Sequence, residues 1–173
     1  TVSNFSIDLS LFQQDVINYN FVSKFSNISL NIDSKKIYFS GLTGQANANS
    51  NGGNIEINSN NLHLGLSEYY SNVLNFSDAN GTFFWEKNNE NINILTDRFS
   101  LSNAFFESQS SIKINYSEEM QLPFADVQTD WNISDIKAAM KFLPIRKMNP
   151  TLFSWFNKSF LSGKAINGKT LLR

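Results

Sequence analysis

Strict period-two alternation governs the first two thirds of this chain and limits its folds more than any other feature. Phe5, Ile7, Leu9 and Leu11 are spaced by two. So are Ile28, Leu30 and Ile32, then Ile55 and Ile57, Leu62, Leu64 and Leu66, Ile92 and Ile94, and Ile112 and Ile114. Residues two apart share one face of a strand, so each run predicts a strand with one apolar and one polar face. Turn signals separate the runs: Asp33-Ser34, Asn51-Gly52-Gly53, Asn80-Gly81, Asn88-Asn89 and Ser117-Glu118. Short turns at regular spacing predict an antiparallel meander, with no helix-length period before about residue 134.

The meander repeats itself. A shift of 37 residues lays FSGLTG (39–44) on FSDANG (76–81), and the match runs from 37–64 to 74–101. Ile37 meets Leu74, Phe39 meets Phe76, Ile55 meets Ile92, and Ile57 meets Ile94. Leu62 then meets Phe99, and Leu64 meets Leu101. The shared pattern reads as strand, Gly, strand, Asn turn, strand, strand. A unit this small cannot bury its own apolar face and stacks on its neighbours.

Residues 134–173 change character and predict two short helices and a final strand, packed on the sheet formed by residues 1–133. In NISDIKAAMKFLP, Ser134 is the expected N-cap, with Asp135 at the positive end of the helix dipole. Pro144 is expected to end that helix. The stretch MNPTLFSWFNKSFLSG (148–163) predicts the second helix, with Asn149 as N-cap, Pro150 at its first position and Gly163 as a left-handed cap. Its apolar residues Leu152, Phe153, Trp155, Phe156, Phe160 and Leu161 cover roughly 240° of arc. That width predicts a helix covered on more than one side, with Leu152, Phe153, Trp155, Phe156 and Phe160 packing on the sheet.

Composition removes several classes of function. Net charge is −1, from 14 basic and 15 acidic residues, so no basic excess is available to neutralise nucleic-acid phosphates. Polarity comes instead from uncharged residues, including 25 Asn. Cysteine is absent, which excludes a disulfide-stapled domain, thiolate chemistry and Cys-ligated metal. The opening TVSNFSIDLSLF has no basic n-region or long apolar run, so it is neither a signal peptide nor a membrane span. It begins directly in alternation, and GKTLLR stops in another apolar run; both ends read as cuts through a longer protein.

No catalytic constellation stands out, and no cofactor is called for. His63, the single histidine, sits opposite in phase to Leu62 and Leu64 and reads as a solvated strand residue rather than a general base. Asp126 and Asp130 are the one candidate carboxylate pair. Gly41 and Gly44 lack the Gly-Lys-Ser of a phosphate loop. Asn51-Gly52-Gly53-Asn54 has no carboxylate for calcium and reads as a hairpin turn. The unusual quantity is aromatic: 16 Phe, 5 Tyr and 3 Trp, several of them on strands. A meander has one apolar face, and two short helices are too few to cover about seven to nine strands. A sheet curled into a gutter would leave its lining open to apolar ligands such as acyl chains.

DIKAAMKFLP (135–144), MNP (148–150), LFSWFNKSF (152–160), Gly163 and AINGKTLL (165–172) resemble a segment of the YhdP family. In that family a Tyr-Leu-Pro precedes a short aromatic helix, a glycine and a strand; here Phe142-Leu143-Pro144 stands at that place. SGLTGQ, the Gly-Gly turn, IEINSNNLHL and ANGTFFW extend the resemblance upstream, over roughly 37–172. It implies an AsmA-like, TamB-related protein of the Gram-negative envelope, anchored in the inner membrane, with a periplasmic β-groove that carries phospholipids between inner and outer membranes. The expected partners are then phospholipid acyl chains, the rest of the same long chain at both ends, and the two membranes. The expected fold is mostly β, a curved, repeating antiparallel groove with two short C-terminal α-helices. The expected lining is Ile37, Phe39, Ile55, Ile57, Leu62, Leu64, Leu74, Phe76, Phe83, Trp85, Ile92, Ile94, Phe99 and Leu101. The competing readings are an adhesin-like β-helix and a scaffold that binds partner strands at its open edges; an enzyme is the least expected class.

Overall fold

The computed structural model describes residues 2–12, 15–88, 91–117 and 123–173, and the side chains of residues 18–34, 36–88, 91–117 and 123–173 among them. The expected turns at Asn88-Asn89 and Ser117-Glu118, and the facing of Phe5, Ile7, Leu9 and Leu11, lie partly or wholly outside this set. Nine strands form one sheet in chain order: β1 (Val2–Phe12), β2 (Asp15–Ile32), β3 (Ile37–Asn49), β4 (Gly52–Leu66), β5 (Leu74–Asn88), β6 (Asn91–Asn103), β7 (Phe106–Ser117), β8 (Phe124–Ile133) and β9 (Ala165–Leu172). Each pairs antiparallel with the next, so the meander is complete. Among the described residues no pairing joins β1 to β9, and the sheet is open rather than a closed barrel. Between β8 and β9 lie α1 (Ile136–Ala139) and α2 (Pro150–Ser159).

The strands are longer than the alternation predicts. The Asn80-Gly81 dipeptide is no turn: it lies inside β5, with Asn80 opposite Asn58 and Gly81 opposite Ile57. The hairpin between β3 and β4 turns at Ser50 and Asn51, and Gly52 and Gly53 already belong to β4. What looks like two short strands, Ile55–Ile57 and Leu62–Leu66, is the single strand β4. A change of phase inside the strand creates the illusion. Asn61 has φ 63°, and beyond it the apolar face is carried by even rather than odd positions. Gly41 in β3 (φ 83°) and Asn27 in β2 (φ 52°) mark the same switch in the neighbouring strands, where the register shifts. An extra residue in one strand is a bulge, and Gly or Asn is tolerated in the left-handed conformation it needs. At Gly41 no side chain fits, because a Cβ there would fall 2.4 Å from the Asn61 carbonyl oxygen.

The internal repeat coincides with two successive hairpins, β3–β4 and β5–β6, each starting at the first residue of its strand. FSGLTG and FSDANG are thus the phase-switching segments themselves. Phe39 and Leu42 face one side in the first copy, and Phe76 and Ala79 do so in the second. Ser59 is fully buried at the switch. Its hydroxyl accepts a hydrogen bond from Thr43 N (2.8 Å) and donates to Thr43 O (3.2 Å), which pins the bulge of β3 to β4.

The helical segment departs from expectation in three places. The N-cap of α1 is Asp135, whose carboxylate accepts from Ala138 N at 3.0 Å. Ser134 lies just past β8, its N–H donating to Phe105 O and its hydroxyl, the group that would cap, donating to Ala104 O at 3.4 Å. One turn of 3₁₀-helix, Met140–Phe142, follows α1, and Leu143 is extended before Pro144, as proline requires. Asn149 caps α2 through Thr151 N at 2.8 Å, with Pro150 at its start, as predicted. The helix nevertheless stops at Ser159, short of Gly163. Gly163 (φ 126°) sits in the loop beyond, where its carbonyl accepts from Ile136 N and ties the exit of α2 to the start of α1.

Candidate functional site

Cross-strand register brings the predicted lining together. Residues directly opposite in an antiparallel pair point to the same side. Ile37 and Phe39 stand opposite Leu66 and Leu64, and Leu64 and Leu62 stand opposite Leu74 and Phe76. Farther along the strands, Ile55 faces Phe83, Ile57 and Phe99 flank Gly81, and Leu101 faces Ala79. Trp85 pairs with Ile94, which pairs in turn with Ile114; Ile92 pairs with Tyr116. Leu62, Leu74, Phe76 and Ala79 form one buried cluster against which Ile57, Leu64, Phe99 and Leu101 pack, so both phases of the alternation lie on one face. The structure places all the predicted lining residues on that face.

Burial along this face is uneven. Leu62, Leu74 and Phe76 are 4–8% exposed, while Ile55, Phe83, Trp85, Ile92 and Ile94 stay half-buried. Buried apolar residues among those described number five, with Ala79 and Ala139 added to those three. Among the described residues so few apolar side chains are buried that much of this face is left uncovered by their own elements.

Four glycines shape the same face, a feature the sequence reading passed over. Gly44, Gly53, Gly81 and Gly168 stand directly opposite Phe25, Trp85, Phe99 and Trp131. A Cβ at each would come within 2.3–3.0 Å of the ring across from it. With no side chain beneath, the rings lie against the backbone of the next strand instead of standing up from it. Phe83 and Phe99 then pack with centroids 5.0 Å apart. A glycine one strand across from an aromatic residue is the signal that would have identified these pairs.

The helical segment covers one end of the face. Phe142 packs on Phe76, Phe105 and Phe106 at centroid distances of 5.1–6.0 Å and joins the buried cluster. Arg146 anchors the following loop, with its guanidinium donating to Ser67 O at 2.9 Å and its N–H to Tyr69 O. Burial pushes the phenol pKa of nearby Tyr70 up. From α2, Phe156 and Phe160 turn toward Ile133, Met140 and Leu143, and Phe153 toward Met140 and Ile145. Leu152 and Trp155 do not pack on the sheet: they are 46% and 54% exposed, because α2 is covered on one side only. Trp155 lies edge-on to Phe156 and Phe160 and shields them from outside.

The opposite face carries polar ladders. His63 lies there as expected, its Nδ1 2.6 Å from Asn75 Oδ1, and Asn115 bonds Asn93. Asp126 and Asp130 do not form a pair; each binds a cation instead, Asp126 the Arg173 that follows β9 at 3.3 Å and Asp130 the Lys169 of β9 at 3.0 Å. Among the described residues no group of three or more His, Asp or Glu is placed to hold a metal ion. Nor is any helix among them long and apolar enough to cross a membrane.

Comparison with known proteins gives one positive result. A family model described as YhdP protein matches residues 1–173, the whole chain, and the chain belongs to that family. No curated protein and no solved structure matches it.

Proposed function

Starting from a YhdP-family chain, we propose that the apolar face is a groove that carries phospholipid acyl chains between the inner and outer membranes of a Gram-negative envelope. In this reading the segment lies in the periplasm, within a longer protein anchored in the inner membrane, and acts without catalysis. The observation that carries it is the apolar face running from β2 to β9, which the helices cover at one end only. Hydrocarbon laid along that face is stabilised by about 25 cal/mol for each Å² removed from water. Adjacent apolar rows offer similar environments, so a chain can slide without a high step between sites. Charged headgroups stay at the wet opening, since burying them unpaired costs far more than the hydrocarbon gains.

The test is photo-crosslinking in cells. A crosslinking residue at Phe83 or Ile92 of the full-length protein is expected to capture lipid. Capture solely from the polar face, for example at Thr82, would sink the assignment and favour a structural β-repeat module.

A further inference from the structure

Beneath α2 lies a cavity of about 320 Å³, between that helix and strands β8 and β9. We propose that it holds one lipid hydrocarbon chain, with the Trp131 indole as its floor; this rests on the groove reading above and adds a defined site to it. Ile133, Ile136, Met140, Leu143, Phe156 and Phe160 line the rest, together with the small side chains of Ala139 and Ala165 that leave the space unfilled.

Three observations support a hydrocarbon occupant. First, the floor is flat by construction. A Cβ at Gly168 would fall 2.3 Å from the indole, so the missing side chain is what lets Trp131 lie down on β9. Second, the floor's one polar atom is already satisfied, because Trp131 Nε1 donates to Thr170 Oγ1 at 3.0 Å. The cavity therefore offers no free hydrogen-bonding side chain. A peptide would bury its own N–H and C=O groups there without partners, whereas an acyl chain has none to satisfy. Third, the roof is self-made: Phe156 and Phe160 stack at 5.3 Å, and Trp155 closes over their outer edges. Trp131 and Ile133 stand opposite Ser108 and Phe106 of β7, so the cavity lies on the same sheet face as the groove.

The experiment places a photo-crosslinking residue at Met140 of the full-length protein, in cells labelled with radioactive phosphate or with radioactive acetate. A lipid adduct is expected. Phosphate label in it identifies a phosphate-bearing lipid, and acetate label alone identifies a lipid without phosphate, such as a free fatty acid; either supports a hydrocarbon site. Gly168→Ala is expected to lift the indole into the cavity and cut capture about tenfold, the effect of losing burial of about two methylene groups. Adding Trp131→Ala to Gly168→Ala is expected to restore capture, which damage to the fold would not allow. Capture at Phe83 with none at Met140 overturns the cavity site and leaves the groove standing. Absence at both positions removes both. Unchanged capture in Gly168→Ala, or no rescue by Trp131→Ala, overturns the role of the floor.

Discussion

One sheet face ends in two different ways. At the end bearing the β4–β5 loop, Leu62, Leu74 and Phe76 are buried beneath Phe142 and packed like any protein core. At the other end Ile55, Phe83, Trp85 and Ile94 are the same kinds of residue in the same or the next strand, and they stay only half-buried. The alternation is equally clean in both places. What differs is whether another element reaches across: the segment from Ala139 to Arg146 does so at one end, tied down through Ser67 and Tyr69. Apolarity alone therefore does not make a core. The same side chains become core or exposed lining according to what stands opposite.

Mutations at matched positions sharpen that contrast. Phe76→Ala is expected to cost about 3–5 kcal/mol of stability in urea unfolding, the usual range for a buried Phe in a core that cannot collapse. Gly41→Ala comes next, at about 2 kcal/mol, since it adds a side chain in the left-handed region and against a backbone oxygen. Phe83→Ala is expected to cost about 1 kcal/mol, mainly the ring contact with Phe99, while lowering lipid capture from neighbouring positions. If Phe83→Ala destabilises as much as Phe76→Ala, the two ends are equally packed and the open-lining reading fails. Smallest is Asn149→Ala, at about 1 kcal/mol or less from the lost cap of α2, followed by circular dichroism through the thermal transition.

Much of this architecture is legible in the linear chain. Alternation sets the strands, the repeat marks two equivalent hairpins, and Asn149-Pro150 sets the start of α2. The misreadings share one physical origin, that local signals compete with distant partners. Asn80-Gly81 carries a turn signature, yet Gly81 serves in mid-strand to receive the Phe99 ring, which is close only through pairing with β6. Asn61 interrupts the alternation as a turn would, but it is a bulge stitched to β3. Ser134 has the right chemistry for a cap and loses that role to Asp135 because its hydroxyl donates to Ala104 O in the β6–β7 turn. The aromatic arc of α2 reads as a helix covered on more than one side, although only Phe153, Phe156 and Phe160 turn inward, while Leu152 and Trp155 stay 46% and 54% exposed.

The sequence by itself determined that one face would be apolar and one polar, since a period of two leaves a strand no other choice. It also determined that two short helices could not cover that face. Only the tertiary structure decided which rows are covered, how bulges at Asn27, Gly41 and Asn61 keep the face continuous through a change of phase, and that glycines lie under the rings. Those outcomes depend on pairs of residues brought together by strand register, and register belongs to the assembled sheet rather than to any one stretch of chain.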